Sequence, residues 1–349
     1  MQTFKKVLLS AVSLLLCVAV VFAALFVYSD KLSVAMSQKQ CEIPDGINYI
    51  FCGASQCEMT FIPDEIDRLL TDTKSFNVSA QGIRLRGRKE VLKNIITEKG
   101  GIKTVVLELA YDSFERNEGF TSYSDIVLKS HYRSALSKQY CMRYTYNRHL
   151  ARYEIENVKS FLKGRTSKGS ESSYKDGVAF GEDNKPLNRG YVAFESSDVT
   201  IPDNKLKETL NTEKYEGAFR DENAEIAKEI IAMCRENGVE VILVVVPLSN
   251  TFIWKHTSME KFHDYLTDLS QSTGCALYDF NLLKDRYKLF SDADSFYNDE
   301  HMSYSGAKVF TEEYCWIINK ANLGEDVSGL FYESYEQMEA DSPYSKAIS

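Results

Sequence analysis

Two short segments of the chain carry residue types that together could perform nucleophilic catalysis. The first is Gly53-Ala54-Ser55-Gln56, which directly follows a short apolar run. The second is Asn298-Asp299-Glu300-His301, in an acidic loop just before a helical stretch. A serine becomes a nucleophile when a histidine takes its proton, and the histidine needs a group behind it that fixes its tautomer. These segments therefore indicate Ser55 as nucleophile, His301 as general base and Asp299 as the acid that orients His301.

Each segment also has a simpler interpretation. A serine at the end of a strand commonly caps the helix that follows, and the acidic loop is also typical of a solvated surface. Asp294, further back in the same loop, is an alternative acid. Four other histidines lie in polar surroundings without this combination of neighbours: His131, His149, His256 and His263.

The elements that must position these residues follow from the hydrophobic pattern. Five short segments, at 47–52, 75–79, 104–109, 239–246 and 276–280, are predicted to be strands and alternate with stretches of helical spacing. Such alternation predicts an α/β fold, a three-layer α/β/α arrangement around a mostly parallel five-stranded sheet. Ligands of such sheets bind at the carboxyl ends of the strands, and Ser55 comes directly after the first strand.

The N-terminus predicts a membrane span. Residues 7–28 contain no charged side chain, and Lys5 and Lys6 precede them. A helix over these residues is long enough to cross a bilayer. We expect an uncleaved signal-anchor, with residues 1–6 in the cytoplasm and the bulk of this single-pass membrane protein extracytoplasmic. The alternative is a cleaved secretory signal. Both interpretations place the rest of the chain outside the cytoplasm.

The remaining boundaries come from breaks in the pattern. Residues 29–45 are predicted to be a stalk and 46–325 the α/β domain. Residues 113–220 interrupt the alternation and are interpreted as a helical or irregular insert, a lid or a partner surface. Residues 326–349 are predicted to be a C-terminal tail.

Charge and cysteine content limit the function classes. The net charge of −9 argues against a nucleic-acid partner, because phosphate binding needs a basic face. Of eight cysteines Cys17 lies in the apolar segment, and Cys41 could bridge to Cys57. No ligand spacing for a metal is present, and we expect neither metal nor cofactor. Four cysteines lie among apolar residues and are predicted to be buried: Cys52, Cys234, Cys275 and Cys315.

Together the two segments resemble the SGNH (GDSL-type) hydrolase superfamily, whose sheet is flavodoxin-like, and especially its membrane-anchored DltD-like and cell-surface acyltransferase-like branch. The resemblance runs from Tyr49 to about Lys320 and covers the insert poorly. Tyr49 to Gln56 resembles the nucleophile block of the family, and Phe76 to Gly82 resembles its second block. Residues 298–307 resemble its terminal block. The resemblance implies that the backbone N–H groups of Ser55 and Gly82 receive the oxyanion.

Two departures from the family pattern matter. The terminal block of the family is Asp-x-x-His, and here Asn298 stands three residues before His301. The acid is then Asp299 or Asp294. The third-block asparagine, a second oxyanion donor, has no clear counterpart after the third strand, where Tyr111-Asp112 stands.

The resemblance implies a serine esterase or O-acyltransferase of acetyl or D-alanyl type, acting on a cell-envelope polysaccharide or teichoic-acid polymer. The alternative is a catalytically degenerate scaffold that partners a membrane-bound O-acyltransferase or a polymer exporter. A basic cluster after the second block either holds an anionic polymer or is a solvated helix start. Its members are Arg84, Arg86, Arg88 and Lys89.

Overall fold

A computed structural model describes residues 2–37, 43–79, 82–116, 189–194 and 215–343. The strands are β1 (Tyr49–Cys52), β2 (Ser75–Asn77), β3 (Thr104–Glu108), β4 (Glu240–Val245), β5 (Ala276–Asp279), β6 (Phe296–Asn298) and β7 (His301–Met302). The α-helices are α1 (Gln2–Ser37), α2 (Ser55–Glu58), α3 (Pro63–Leu69), α4 (Leu85–Lys99), α5 (Tyr111–Glu115), α6 (Asp221–Glu236), α7 (Asn250–Lys255), α8 (Met259–Thr273), α9 (Arg286–Leu289), α10 (Asp292–Ser295), α11 (Tyr304–Asn322) and α12 (Tyr335–Ala340). The N-terminal helix and the sheet belong to two different compact units.

Helix α1 is long and apolar enough to cross a membrane. Its window Phe4–Val21 has a mean hydropathy of 2.2 over 18 residues. A signal sequence near an N-terminus passes the same test of length and composition. The helix continues to Ser37, beyond the predicted end of the span at residue 28 and into the predicted stalk.

The predicted five-stranded parallel sheet is confirmed. Its order is β2-β1-β3-β4-β5, and every neighbouring pair is parallel. The strand order reverses direction between β1 and β3, because the chain steps outward to β2 and then returns to the other side of β1. In doubly wound sheets this switch point is where ligands bind, at the carboxyl ends of the strands.

Alternating side chains of the strands enter helical layers on the two faces of the sheet. Phe51 of β1 stacks on Phe61, with ring centroids 4.3 Å apart, and packs against Tyr314 of α11. Helix α3 packs against α11, while α6 packs against both α4 and α8. On the strands, α6 contacts β4 and α8 contacts β5. Tyr49 and Tyr314 share a buried hydrogen bond of 2.6 Å between their hydroxyl oxygens. Buried aromatic side chains therefore join β1 to α11.

The cysteines follow the expectation of small buried residues. Cys52, Cys234, Cys275 and Cys315 are buried and free, as predicted. Cys57, for which the sequence left a bridge to Cys41 open, is also free and is fully buried in α2, while Cys41 lies outside the described residues. Burial raises the pKa of the Cys57 thiol well above its usual value, which keeps the thiol protonated and unreactive.

Two predicted segments have different outcomes. Most of the 113–220 insert lies outside the described residues. Within it, residues 189–194 run beside the sheet, where the Asn77 N–H donates to the Arg189 carbonyl. The predicted tail is packed on the α/β unit over residues 328–343: Tyr335 of α12 is buried and donates to the Asp279 carboxylate at 3.1 Å. His263 contacts the same carboxylate oxygen.

Candidate active site

The turn that presents Ser55 is tight because small residues form it. Helix α2 begins at Ser55 directly after β1, with Gly53 and Ala54 between them. A Cβ at Gly53 would lie 2.4 Å from Cys57 Cβ and 2.4 Å from the Oε2 atom of Glu108, so only glycine fits there. The turn therefore requires the small-residue pattern that precedes Ser55.

His301 stands in a short hairpin at the same edge of the sheet. Strands β6 and β7 pair antiparallel, with Asn298 directly opposite His301 and only two residues between them. Asn298 Oδ1 accepts hydrogen bonds from the backbone N–H groups of Glu300 and His301, both at 3.0 Å. Such a side-chain turn is typical of Asn and Asp at the start of a loop.

The structure brings Ser55 and His301 together across 246 residues of sequence. The distance between Ser55 Oγ and His301 Nε2 is 2.7 Å. Burial lowers the pKa of His301 to about 4, an effect that the negative charge of Asp112 partly opposes. The imidazole is thus neutral at neutral pH and able to accept the Ser55 proton. The roles of nucleophile and base themselves stay predictions.

Asp299 does not take the place predicted for it, and this corrects the sequence analysis. His301 Nδ1 lies 2.9 Å from Asn298 Oδ1, whereas the Asp299 carboxylate lies 3.2 Å from Lys255 Nζ. The reason is geometric: in a two-residue hairpin the flanking residues face each other, and the central residues point away. Asp294 is elsewhere too, with its carboxylate 3.1 Å from Ser291 Oγ.

The hairpin is fastened to the carboxyl end of β4. The Ser249 backbone N–H donates to the Asp299 carbonyl at 3.1 Å. Nearby, the Asp292 carboxylate accepts from the backbone N–H groups of Asn250 and Thr251 at 2.9 and 3.2 Å. These two N–H groups belong to the first turn of α7, so the Asp292 carboxylate joins α10, the helix just before the hairpin, to α7, the helix that follows β4.

Beneath the Ser55 turn lies a buried ion pair that sequence reasoning missed. Glu108 ends β3, and its Oε2 accepts from the Ala54 N–H at 3.0 Å. The same oxygen lies 3.5 Å from Arg88 Nη1, and both side chains are fully buried. Arg88 also donates to the Glu108 carbonyl at 2.6 Å and to Ser113 Oγ at 2.7 Å. A carboxylate at the end of an otherwise apolar strand was the one available sign of this network.

The charges that act on His301 and on its neighbour Glu300 are mostly acidic. Asp112, in α5, is 2.5 Å from Arg116. Burial raises the pKa of Glu300, and the charges of Asp112 and Asp299 raise it further, while Arg116 lowers it. Sequence reasoning noted Asp112 only as the residue that stands where the third-block asparagine was sought.

The expected oxyanion donors keep the status of predictions. Ser55 is the first residue of α2, and the first N–H groups of a helix have no acceptor within it. Gly82 lies in the turn between β2 and α4 with φ +68°, a conformation that favours glycine.

Three members of the basic cluster pair with acidic side chains, Arg88 in the core and Arg86 and Lys89 closer to the surface at the start of α4. Arg88 is buried in the ion pair with Glu108 and is not available to a polymer. Arg86 pairs with Glu222 at 2.5 Å, and Lys89 pairs with Glu229 at 2.7 Å. Both of these partners lie on α6, so Arg86 and Lys89 join α4 to α6.

Comparison with known proteins gives only remote likenesses. No family model and no curated protein matches the chain. Protein YXIM_BACsu from Bacillus subtilis is similar in structure at a TM-score of 0.37 and 12% identity, over 82% of this chain and 58% of that one. A "putative acylhydrolase (BF3764)" from Bacteroides fragilis is similar at a TM-score of 0.36 and 11% identity, over 82% of this chain and 94% of that one. These scores are too low to carry an argument about function, which depends on the site itself.

Proposed function

We propose that this protein is a serine esterase or O-acyltransferase that works through an acyl-Ser55 intermediate. The observation that carries the proposal is the 2.7 Å hydrogen bond between Ser55 Oγ and His301 Nε2 at the carboxyl edge of a parallel sheet. A hydroxyl and a neutral imidazole at this distance have the geometry that proton transfer requires.

In the first half-reaction Ser55 Oγ bonds to the carbonyl carbon of an ester, and its proton moves to His301 Nε2. The tetrahedral intermediate then expels the leaving alcohol, which takes that proton, and acyl-Ser55 remains. In the second half-reaction water or a sugar hydroxyl attacks the acyl carbon while His301 accepts its proton. Ser55 Oγ leaves and regains the proton, which gives an acid or a new ester.

The oxyanion of each tetrahedral intermediate would be received by the backbone N–H groups of Ser55 and Gly82. Support comes from Ser55 opening a helix and from Gly82 occupying a left-handed turn after β2. Preorganised donors at this point stabilise the charge that develops in the transition state.

Membership of the SGNH superfamily, in its membrane-anchored DltD-like branch, is part of the same proposal and is supported by the three sequence blocks. We propose that α1 anchors the chain and that the site faces the cell envelope, with acetyl or D-alanyl esters of an envelope polysaccharide or teichoic-acid polymer as substrates. Helix α1 supports the anchor, because Lys5 and Lys6 lie near its start and directly before the uncharged run 7–28. A membrane-bound O-acyltransferase would be the natural partner for transfer rather than hydrolysis.

The test uses the full-length protein in detergent and a fluorophosphonate probe, with the labelled residue located by mass spectrometry. We expect one labelled residue, Ser55, and loss of labelling in Ser55→Ala and His301→Ala. Ser272→Ala, which removes an exposed helical serine, is the matched control and should label like the wild type.

Two outcomes would overturn the proposal. One is a well-folded protein that the probe does not label, and the other is ester turnover that Ser55→Ala leaves unchanged. The first would favour the scaffold alternative, which the replacement of the family aspartate by Asn298 also favours. Capture of a membrane acyltransferase or exporter that Ser55→Ala does not weaken would then support that alternative.

A further inference from the structure

The oxygen of Asn298 is surrounded by three nitrogen atoms of its own hairpin. They are the backbone nitrogens of Glu300 and His301, at 3.0 Å each, and His301 Nδ1 at 2.9 Å. Backbone N–H groups can only donate, so the atom that faces them must be the amide oxygen and not the amide nitrogen. The hairpin therefore fixes the orientation of the Asn298 amide.

This orientation also fixes the tautomer of His301. An amide oxygen only accepts, so the hydrogen bond to it requires a proton on Nδ1. A neutral imidazole with its proton on Nδ1 has a lone pair on Nε2, and Nε2 faces Ser55 Oγ at 2.7 Å. This is the tautomer that a general base for Ser55 needs.

We propose that Asn298 is the positioning residue of an uncharged Ser55–His301–Asn298 site, in which an amide replaces the carboxylate behind the histidine. The proposal rests on the function proposed above and deepens it. The amide would hold the ring and its tautomer as an aspartate does, but without a negative charge to stabilise the imidazolium that forms in each half-reaction. The site should consequently have a weak base and stay active in acid.

The charges around His301 support this distinction. Among the residues that the structure describes, no charged group hydrogen-bonds to the imidazole, and Asp112 acts on it through its electric field alone. Asp112 is itself paired with Arg116. On the hairpin itself, Asp299 is paired with Lys255 and Glu300 lies in the turn. The packed helices contribute Glu58 of α2 and two carboxylates of α10, Asp292 bound to the Asn250 N–H and Asp294 bound to Ser291, while the first turn of α11 has no acidic residue. With burial dominant, the pKa of His301 falls to about 4.

The decisive variants are Asn298→Asp and Asn298→Ala in the full-length protein. Aspartate accepts the same backbone hydrogen bonds and keeps the hairpin, but it puts a carboxylate against Nδ1. Alanine removes the acceptor. Asn237→Asp is the control, because it adds the same charge at an exposed position near the amino end of β4, at the opposite edge of the sheet.

Two measurements are made on each variant. One is the pH dependence of kcat/KM for p-nitrophenyl acetate, and the other is the 15N chemical shifts of the His301 ring through a pH titration, assigned by comparison with His301→Gln. In the wild type we expect Nδ1 protonated, and His301 titrating well below pH 6. In Asn298→Asp we expect the His301 titration and the acid limb to rise together by about 1–3 pH units, since a contacting carboxylate favours the imidazolium.

For Asn298→Ala we expect kcat to fall about 10²–10³-fold, with the Nε2-protonated tautomer appearing in the spectra. The control should match the wild type in both measurements. The proposal is overturned if Asn298→Asp moves neither the titration nor the acid limb, or if Asn298→Ala keeps the wild-type tautomer and kcat.

The ring titration separates this proposal from the proposed function, because it needs no turnover. A wild-type protein that neither reacts with the fluorophosphonate nor hydrolyses esters would overturn the function. Asn298 would still be assigned its positioning role if His301 showed the Nδ1–H tautomer and the shift in Asn298→Asp.

Discussion

The two halves of the candidate site are held in place by opposite means. The turn before Ser55 rests on a buried ion pair, since the Ala54 N–H donates to Glu108 and Glu108 faces Arg88. His301 rests on the uncharged amide of Asn298, within a hairpin of its own sequence neighbours. In the resembled family a carboxylate stands behind the histidine. In this protein the carboxylate, Glu108, lies under the serine turn instead.

This difference separates two tasks that a carboxylate behind histidine performs together. Holding a side chain in one orientation needs only a fixed acceptor, which Asn298 supplies. Raising the basicity of the ring needs a nearby negative charge. The Glu108 carboxylate instead accepts a hydrogen bond from the backbone of the Ser55 turn and does not contact the ring. The arrangement therefore favours geometry over base strength.

Breaking the ion pair should have the largest effect on stability. In Arg88→Met the Glu108 carboxylate stays buried without its cation, and we expect the free energy of unfolding to fall by about 3–5 kcal/mol. Burial already raises the pKa of Glu108, and loss of Arg88 should raise it further. Urea denaturation measures the loss, and the rate of fluorophosphonate labelling at Ser55 should fall with it.

Two further variants make this test specific. Arg88→Met/Glu108→Gln removes the uncompensated charge but keeps an acceptor for the Ala54 N–H, so it should recover part of the stability. Lys89 lies on α4 like Arg88, and Lys89→Met breaks its more exposed pair with Glu229 of α6. This variant should change the free energy of unfolding by about 0–1 kcal/mol. Equal losses in Lys89→Met and Arg88→Met would contradict the comparison.

The fold and the meeting of Ser55 with His301 were within reach of the sequence. Most strands of the sheet are short apolar runs bounded by turn residues, and parallel strands bring their carboxyl ends to one edge. Because His301 lies in the segment between β5 and α11, that rule allows it to meet the serine after β1. It needs no knowledge of individual contacts.

The partners of these residues were not within reach, because they depend on side-chain directions. Asp299 carries the negative charge that usually stands behind a catalytic histidine, and Asn298 does not. In a two-residue hairpin, however, the residue three positions before the histidine faces its ring. The Glu108–Arg88 pair joins the end of one strand to a helix 20 residues earlier, and nothing in the local pattern of either indicates the other. Arg88 accordingly looked like part of a surface cluster.

A methyl group added beside the His301 hairpin or under the Ser55 turn should lower the free energy of unfolding by less than Arg88→Met does. The Cβ of Gly306→Ala would lie 2.1 Å from the Ser295 backbone oxygen, beside the histidine hairpin. The Cβ of Gly53→Ala would meet the Glu108 carboxylate, under the serine turn. We expect each to lower the free energy of unfolding by about 1–3 kcal/mol in urea denaturation.

Gly329→Ala is the control for both, because a Cβ there would have no neighbour within 4 Å. It should change stability by no more than about 0.5 kcal/mol. If Gly306→Ala matched this control, the contact of α11 with α10 would not be what fixes the position of the hairpin.

The smallest effect is expected from Asp299→Asn, and it tests the comparison at its most informative point. The Asp299–Lys255 pair is exposed, with 39% and 28% of the two side chains accessible, so its loss should change the free energy of unfolding by about 0–1 kcal/mol. Because the Asp299 side chain does not contact the His301 ring, kcat/KM for p-nitrophenyl acetate should stay within about threefold of the wild type, as should that of the matched variant Lys255→Met. An acid that oriented His301 would instead lose about 10³–10⁴-fold on this substitution. A loss of that size in Asp299→Asn, with Lys255→Met unaffected, would return the orienting role to Asp299 and remove it from Asn298.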